Sequence, residues 1–230
     1  MKLLIIPITL LLASASTFGK TTIVLTTHNL PPYSHYIGKM LSGSAVEVVE
    51  CAFKPMSEYT LQIKVVPWKR AQTLVIQNEA DGFFAASKNP TRDDYATMSE
   101  IIAEQSWTWF QRKDNYSSPT DETFRTDKVV SSFLGANMQT WLTTNEYQLA
   151  NNPPRNNQQL LQLLIRKRVD AILANDQVMN KLLTTNHVEH LVRSDTLRSK
   201  PLGVYFSHNF LDRNPGFIQR FNQNVRTCRQ

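Results

Sequence analysis

Apolar and polar positions fall into short blocks whose period changes along the chain. TTIVLTT (21–27) is a β-branched run and predicts a buried strand. HNLPPYSHY follows, and its paired prolines exclude a helix and predict a rigid loop at the strand's C-terminal end. In GSAVEVVECAF (43–53), Ala45, Val48, Val49 and Ala52 recur at helical spacing, with Ser42 or Ser44 placed to cap the helix. LQIKVVPW (61–68) predicts a second strand stopped by Pro67, KRAQTLVIQNE a helix, and ADGFFAA a third strand. This alternation predicts an α/β fold with parallel strands.

Beyond residue 95 the pattern shifts and then resumes. MSEIIAEQSWTWFQRKD alternates apolar and aromatic residues and predicts strands, whereas SSPTDETFRT (117–126) is polar and loop-like. KVVSSFLG restarts the alternation, and a helix is predicted from about Asn137 to Leu149, ended by the breaker NNPPRNN. QQLLQLLIRKR predicts a helix, VDAILAN a strand, DQVMNKLL a helix and KPLGVYFS (200–207) a strand. The last helix is predicted to start at Asn214-Pro215-Gly216, with Asn as cap and Pro at the first helical position. Its apolar stripe is Phe217, Phe221, Val225 and Cys228.

Two segments repeat one another. LVIQNEADGFFA (74–85) and LLIRKRVDAILA (163–174) share Leu74/Leu163, Ile76/Ile165, Asp81/Asp170 and Ala85/Ala174, and the alignment sets Ser87 opposite Asp176. With the alternation seen in both halves, the repeat predicts two similar α/β lobes. Ligands bind at the C-terminal ends of parallel strands. Two facing lobes would therefore make a cleft lined by Ser87 and Asp176.

Composition narrows the setting. MKLLIIPITLLLASASTFGK has one early lysine, an apolar run and then small residues, the pattern of a cleaved signal peptide over 1–19. The apolar run is too short to span a bilayer. No cysteine follows it to carry a lipid anchor, so a periplasmic, exported protein is expected. Cys51 and Cys228 are the two cysteines, and in an oxidising compartment they suggest one disulfide, with two buried thiols as the alternative. A bridge would place the first and last helices in one lobe, and closing so long a loop contributes roughly 4 to 5 kcal/mol in the chain-entropy view. Net charge is +6 and uneven: residues from 151 onward carry twelve Lys/Arg against five Asp/Glu. No nucleic-acid motif accompanies this basic half, so an anionic ligand or a solvated face is expected rather than nucleic acid.

Several short motifs follow in order: the PPY loop at 31–33, Trp68-Lys69-Arg70-Ala71, Ala80-Asp81-Gly82 and Ser-x-x-x-x-Arg at 87–92. Val169-Asp170-Ala171, Asn175-Asp176 and Pro201-Leu202-Gly203 complete the set. This ordered set resembles the periplasmic solute-binding proteins of the polar amino-acid type, family 3-like substrate-binding domains of ABC transporters. The resemblance implies a two-lobed, type II clamshell with two hinge crossings. Lobe 1 would comprise residues 20–108 and 203–230, and lobe 2 residues 109–202.

The resemblance also implies a ligand site of Tyr33, Trp68, Ser87, Arg92 and Asp176, to which the strand-to-helix transition adds Gly135 and Asn137. Arg92 would fork onto a carboxylate, with Ser87 adding a hydroxyl bond. Asp176 would meet an amine from the opposite lobe, and Tyr33 and Trp68 would form aromatic walls. Gly135 and Asn137 fall where a strand gives way to a helix, a place suited to an anion. Each residue also has a plainer role: Arg92 in an ion pair with Asp93 or Asp94, Asp176 as a helix cap, Tyr33 packing its loop and Trp68 in the core.

Thr27 and His28 stand where such binders carry an acid, and Ala85 or Ala86 where they carry glycine. The expected ligand therefore ranges over an amino acid, a small carboxylate and a polyamine-like cation. The expected partner is a membrane permease or a sensor protein. We expect a monomer with no cofactor, no metal and no enzymatic activity. The rival readings are a dehydratase-like enzyme using Glu104 or Asp176 as acid, and a clamshell that acts only by contacting another protein.

Overall fold

A computed structural model of the chain describes residues 19–229. The expected signal peptide, Gly19 excepted, lies outside them. In chain order the first elements are β1 (Thr21–Thr27), β2 (His35–Ile37), β3 (Met40–Ser42), α1 (Ser44–Phe53), β4 (Tyr59–Val65), α2 (Trp68–Ile76), β5 (Gly82–Ser87), α3 (Pro90–Asp93) and β6 (Ala96–Met98). Then come β7 (Ser106–Arg112), α4 (Glu122–Asp127), β8 (Val130–Ser131), α5 (Asn137–Thr144), α6 (Asn157–Ile165), β9 (Ala171–Asn175) and α7 (Asp176–Thr185). The chain ends with β10 (Val192–Ser199), β11 (Leu202–Ser207), α8 (His208–Arg213) and α9 (Phe217–Cys228).

The strands form two main sheets. One has the order β4-β1-β5-β11-β6 and the other β10-β7-β9-β8. β1, β4 and β5 are parallel, as are β8 and β9, which matches the strand–helix alternation. β11 runs antiparallel to β5 and β6, and β7 runs antiparallel to β9 and β10. These strands enter their sheets directly from the other lobe, with no crossover helix to restore a parallel direction. The boundary expected between 108 and 109 falls inside β7, which pairs with second-sheet strands from Ser106 onward, and Leu202 already belongs to the first sheet. The lobes are thus joined by the segments 99–105 and 200–201.

In the first lobe, Ile23, Leu25, Val46, Val49, Phe206, Phe217, Phe221 and Val225 share one buried core. The stripe of α9 packs against α1, and Cys51 and Cys228 are bridged with their Cα atoms 6.0 Å apart. α9 begins at Phe217, after the position expected, because Gly216 has φ 79° and cannot join the helix. Gly43 serves a different close approach: it has φ 127°, and a Cβ there would lie 2.5 Å from the carbonyl carbon of Tyr33. That contact lets the amides of Ala45 and Val46 donate to the Tyr33 carbonyl, so the PPY loop caps α1 in place of a serine.

The internal repeat is structural. The Asp81 amide donates to Val24 O at 2.9 Å, and its carboxylate accepts from Val24 N at 2.9 Å. Asp170 does the same with Val129, at 2.7 Å and 2.9 Å. Each aspartate fastens its strand, β5 or β9, to the preceding parallel strand. Each is reached through a turn with one left-handed residue, Asn78 at φ 59° and Lys167 at φ 58°.

Candidate functional site

β5 is buried along its whole length and delivers Ser87 to the gap between the lobes. One turn of helix, α3, then folds the chain back and sets Arg92 beneath the strand end. Arg92 is only 4% exposed. Its Nη1 donates to Ser87 O at 2.8 Å and its Nε to Gln72 Oε1 at 3.1 Å. Its guanidinium lies 5.0 Å from the Trp68 ring centroid and 5.9 Å from that of Phe83. Among the described residues no carboxylate comes within ion-pair distance of it: Asp93 instead accepts from Tyr205 Oη and pairs with Lys88. Burial lowers the Arg92 pKa to about 10, which still leaves it charged at neutral pH. A buried cation without a carboxylate partner is costly unless an anion joins it.

Ala85 occupies the residue of β5 skipped in the register with β11, and has φ 60°. This is a bulge position that favours glycine, here held by a residue with a Cβ. The bulge re-aims the last residues of β5 toward the cleft.

The second lobe closes directly on this end of the first. Asn137 Nδ2 donates to Ser87 Oγ at 2.9 Å and Ser87 O at 3.2 Å, and Asn137 Oδ1 accepts from Asn89 Nδ2 at 2.7 Å. Trp68 Nε1 donates to Gly135 O at 3.1 Å, while the Gly135 amide is taken by Gln139. Trp68, Ser87, Arg92, Gly135 and Asn137 are therefore brought together.

Tyr33 and Asp176 are not part of this cluster. Tyr33 is fully buried on the hinge side, where its hydroxyl donates to Glu104 O at 2.8 Å, so the expected aromatic wall is instead a hinge support. Asp176 accepts from Ser106 N at 3.1 Å and does not line the cleft. The rigid start of α7 turns it toward β7, and the preceding residue, Asn175, reaches the cleft instead. Asn175 caps α7 through Val178 N and also bonds Gln105. Glu104 faces outward and pairs with Arg229 at 2.7 Å.

Two adjoining spaces lie between the lobes on the Arg92 side, among the described residues. The inner one, about 50 Å³, is lined by Arg92, Ser87, Asn137 and Asn175 with apolar groups such as Leu202 and Met138. The outer one is about 360 Å³ and includes Asn29, Pro67 and Arg155. His28, Trp68, Phe133 and Asn157 line both. Among the described residues no Asp or Glu lines either space. His28 packs at a tilt against Trp68, with ring centroids 4.5 Å apart, and its Nδ1 is buried without a hydrogen-bond partner among the described residues. Burial, aided by Arg92, lowers its pKa to about 3, so it is neutral at physiological pH. The arrangement is suited to holding an anion against one fixed cation, neutral donors and aromatic faces.

Gln72, Phe133, Gln105 and Asn175 are not among the site residues expected from the sequence. Asn175 was one position from the residue chosen; the others come from a helix face, a loop and the hinge, where local pattern carries no signal.

No family model matches the chain, and no curated protein matches it. Solved structures do. A histidine kinase sensor domain with similarity to periplasmic binding proteins superimposes with a TM-score of 0.80 at 16% identity, covering 91% of each chain. A substrate-binding protein of an ABC uptake transporter from Streptococcus pneumoniae, with bound histidine, gives 0.76 at 14% identity over 91% of this chain and 87% of that one. An ancestral arginine-binding protein bound to arginine gives 0.76 at 16% identity, over 91% and 93%. The chain has the two-lobed fold of the periplasmic binding proteins.

Proposed function

We propose that the protein binds a small carboxylate between its lobes and that closure over this ligand is its working step. The observation that carries this reading is Arg92: a buried guanidinium with no carboxylate partner among the described residues, at the end of a strand, facing the inner space. A planar guanidinium with a nearby hydroxyl and amides suits a carboxylate. Among the described residues no acidic side chain lines the space, which disfavours an ammonium group, and so disfavours both a polyamine and an ordinary amino acid. Closure makes Trp68–Gly135 and Ser87–Asn137 bonds that neither lobe offers alone, which couples ligand and conformation.

On this reading the protein is a binding module, not an enzyme. The two carboxyls considered as acids, Glu104 and Asp176, are held by Arg229 and Ser106 N away from the inner space. The N-terminal pattern supports export to the periplasm. Delivery to a membrane permease or report to a sensor then follows as the role of the closed form. Calorimetry with a panel of small acids, amino acids and polyamines tests the reading. Acids should bind, and Arg92→Gln should weaken them by about tenfold to a hundredfold.

A second reading is favoured by one observation. The inner space is far smaller than the ~300 Å³ at which small-molecule sites begin, and the lobes already bond to each other directly. A protein that works closed, as a partner of another protein, would have this geometry. No binding of any compound in the panel would favour it.

A further inference from the structure

The two spaces between the lobes stand one behind the other. The inner, about 50 Å³, holds Arg92, and the outer, about 360 Å³, holds Arg155. Their shared residues, His28, Trp68, Phe133 and Asn157, form the partition. The inner space is too small for most small molecules, whereas the outer one lies within the ~300–1,000 Å³ range of ligand sites. Phe133 belongs to the second lobe, in the loop between β8 and α5, while His28 and Trp68 belong to the first. The partition therefore parts when the lobes part.

Each space carries one arginine. Arg155 lies between the NNPP breaker and α6, and its guanidinium has no ion-pair partner among the described residues. The N-terminus of α6 opens on the same space at Asn156 and Asn157, adding its partial positive charge. His28, 7% exposed, lines the space and has a ring nitrogen without a partner. Between the two arginines the walls are aromatic.

We infer that the ligand is a dianion of the dicarboxylate class that passes through the partition, with one carboxylate on Arg92, an apolar link against Trp68 and Phe133, and the second carboxylate on Arg155. This rests on the reading that Arg92 anchors a carboxylate. Arg92 is buried and supplies the fixed end. Arg155 is exposed, so its contribution is weaker and screened by salt.

Calorimetry with succinate, glutarate, adipate and suberate, each against the straight-chain monoacid of equal length, tests it. At least one diacid should bind about tenfold more tightly than its monoacid, a margin set by one charge-assisted contact. Arg155→Gln should abolish that margin by weakening the diacid far more than the monoacid, and added salt should shrink the margin in the parent protein. Equal affinities for diacid and monoacid would overturn the inference alone, as would an Arg155→Gln variant that weakens both alike or neither. Binding of no acid, or an Arg92→Gln variant that binds as well as the parent, would overturn the Arg92 reading and this inference with it.

Discussion

Asn137 in the second lobe donates to both oxygens of Ser87 in the first, at 2.9 Å to Oγ and 3.2 Å to the carbonyl. The pair joins the lobes beside Arg92, whose Nη1 donates to the same Ser87 carbonyl. One serine thus receives the Arg92 guanidinium of its own lobe and the Asn137 amide of the other.

Asn137→Ala removes these bonds and the one from Asn89. It is expected to shift the lobes toward the open form by about 1–2 kcal/mol, roughly tenfold in the closed–open equilibrium. Small-angle scattering should show a larger radius of gyration in the variant. An unchanged scattering curve would show that the latch does not hold the lobes.

Ala85 should discriminate sharply among substitutions. At φ 60° a β-branched side chain is strongly disfavoured, so Ala85→Val should cost about 2 kcal/mol of unfolding free energy. Ala85→Gly trades relief of strain against the extra freedom of glycine in the unfolded chain and should stay within about 0.5 kcal/mol of the parent. Denaturant titrations measure both. A well-tolerated valine would mean that the bulge is not where the backbone places it.

His28 predicts an acid-dependent loss of stability. Its pKa falls from the ordinary 6.5 to about 3 on folding, through burial first and Arg92 second. The unfolded chain therefore takes up this proton first as pH drops. The neutral-histidine contribution is intact above pH 6.5 and is lost on acidification toward pH 3, by up to about 1.4 kcal/mol per pH unit. His28→Asn should flatten the curve of stability against pH in this window relative to the parent. Parallel curves for the two proteins would contradict it.

Much of the fold was legible in the sequence because it is written in local periodicity. The runs 21–27 and 171–175, the helices of α1, α2, α6 and α7, and the stripe Phe217, Phe221, Val225 all form as their patterns predict. The aspartates of the repeat were visible as identities, and their bonds to Val24 and Val129 give the reason. Other elements carried no such signal. β10 is mostly polar because one edge of it faces solvent, and the β2–β3 hairpin has Tyr36, Ile37 and Met40 exposed, so neither shows an apolar alternation.

The site divides in the same way. Ser87 and Arg92 follow a strand end, a position that sequence marks. Asp176 missed because one residue at the start of a helix rotates a side chain by about 100°, enough to turn it from the cleft to Ser106 while Asn175 takes its place. Tyr33 missed because its direction is set by the Gly43 contact and the hinge, which are distant in sequence.

The most direct measurement is a crystal structure of the protein grown with the tightest-binding acid from the calorimetric panel. The account predicts a carboxylate in hydrogen-bond contact with the Arg92 guanidinium, between Trp68 and Asn137. A ligand bound elsewhere, with Arg92 still holding only Ser87 and Gln72, would contradict it.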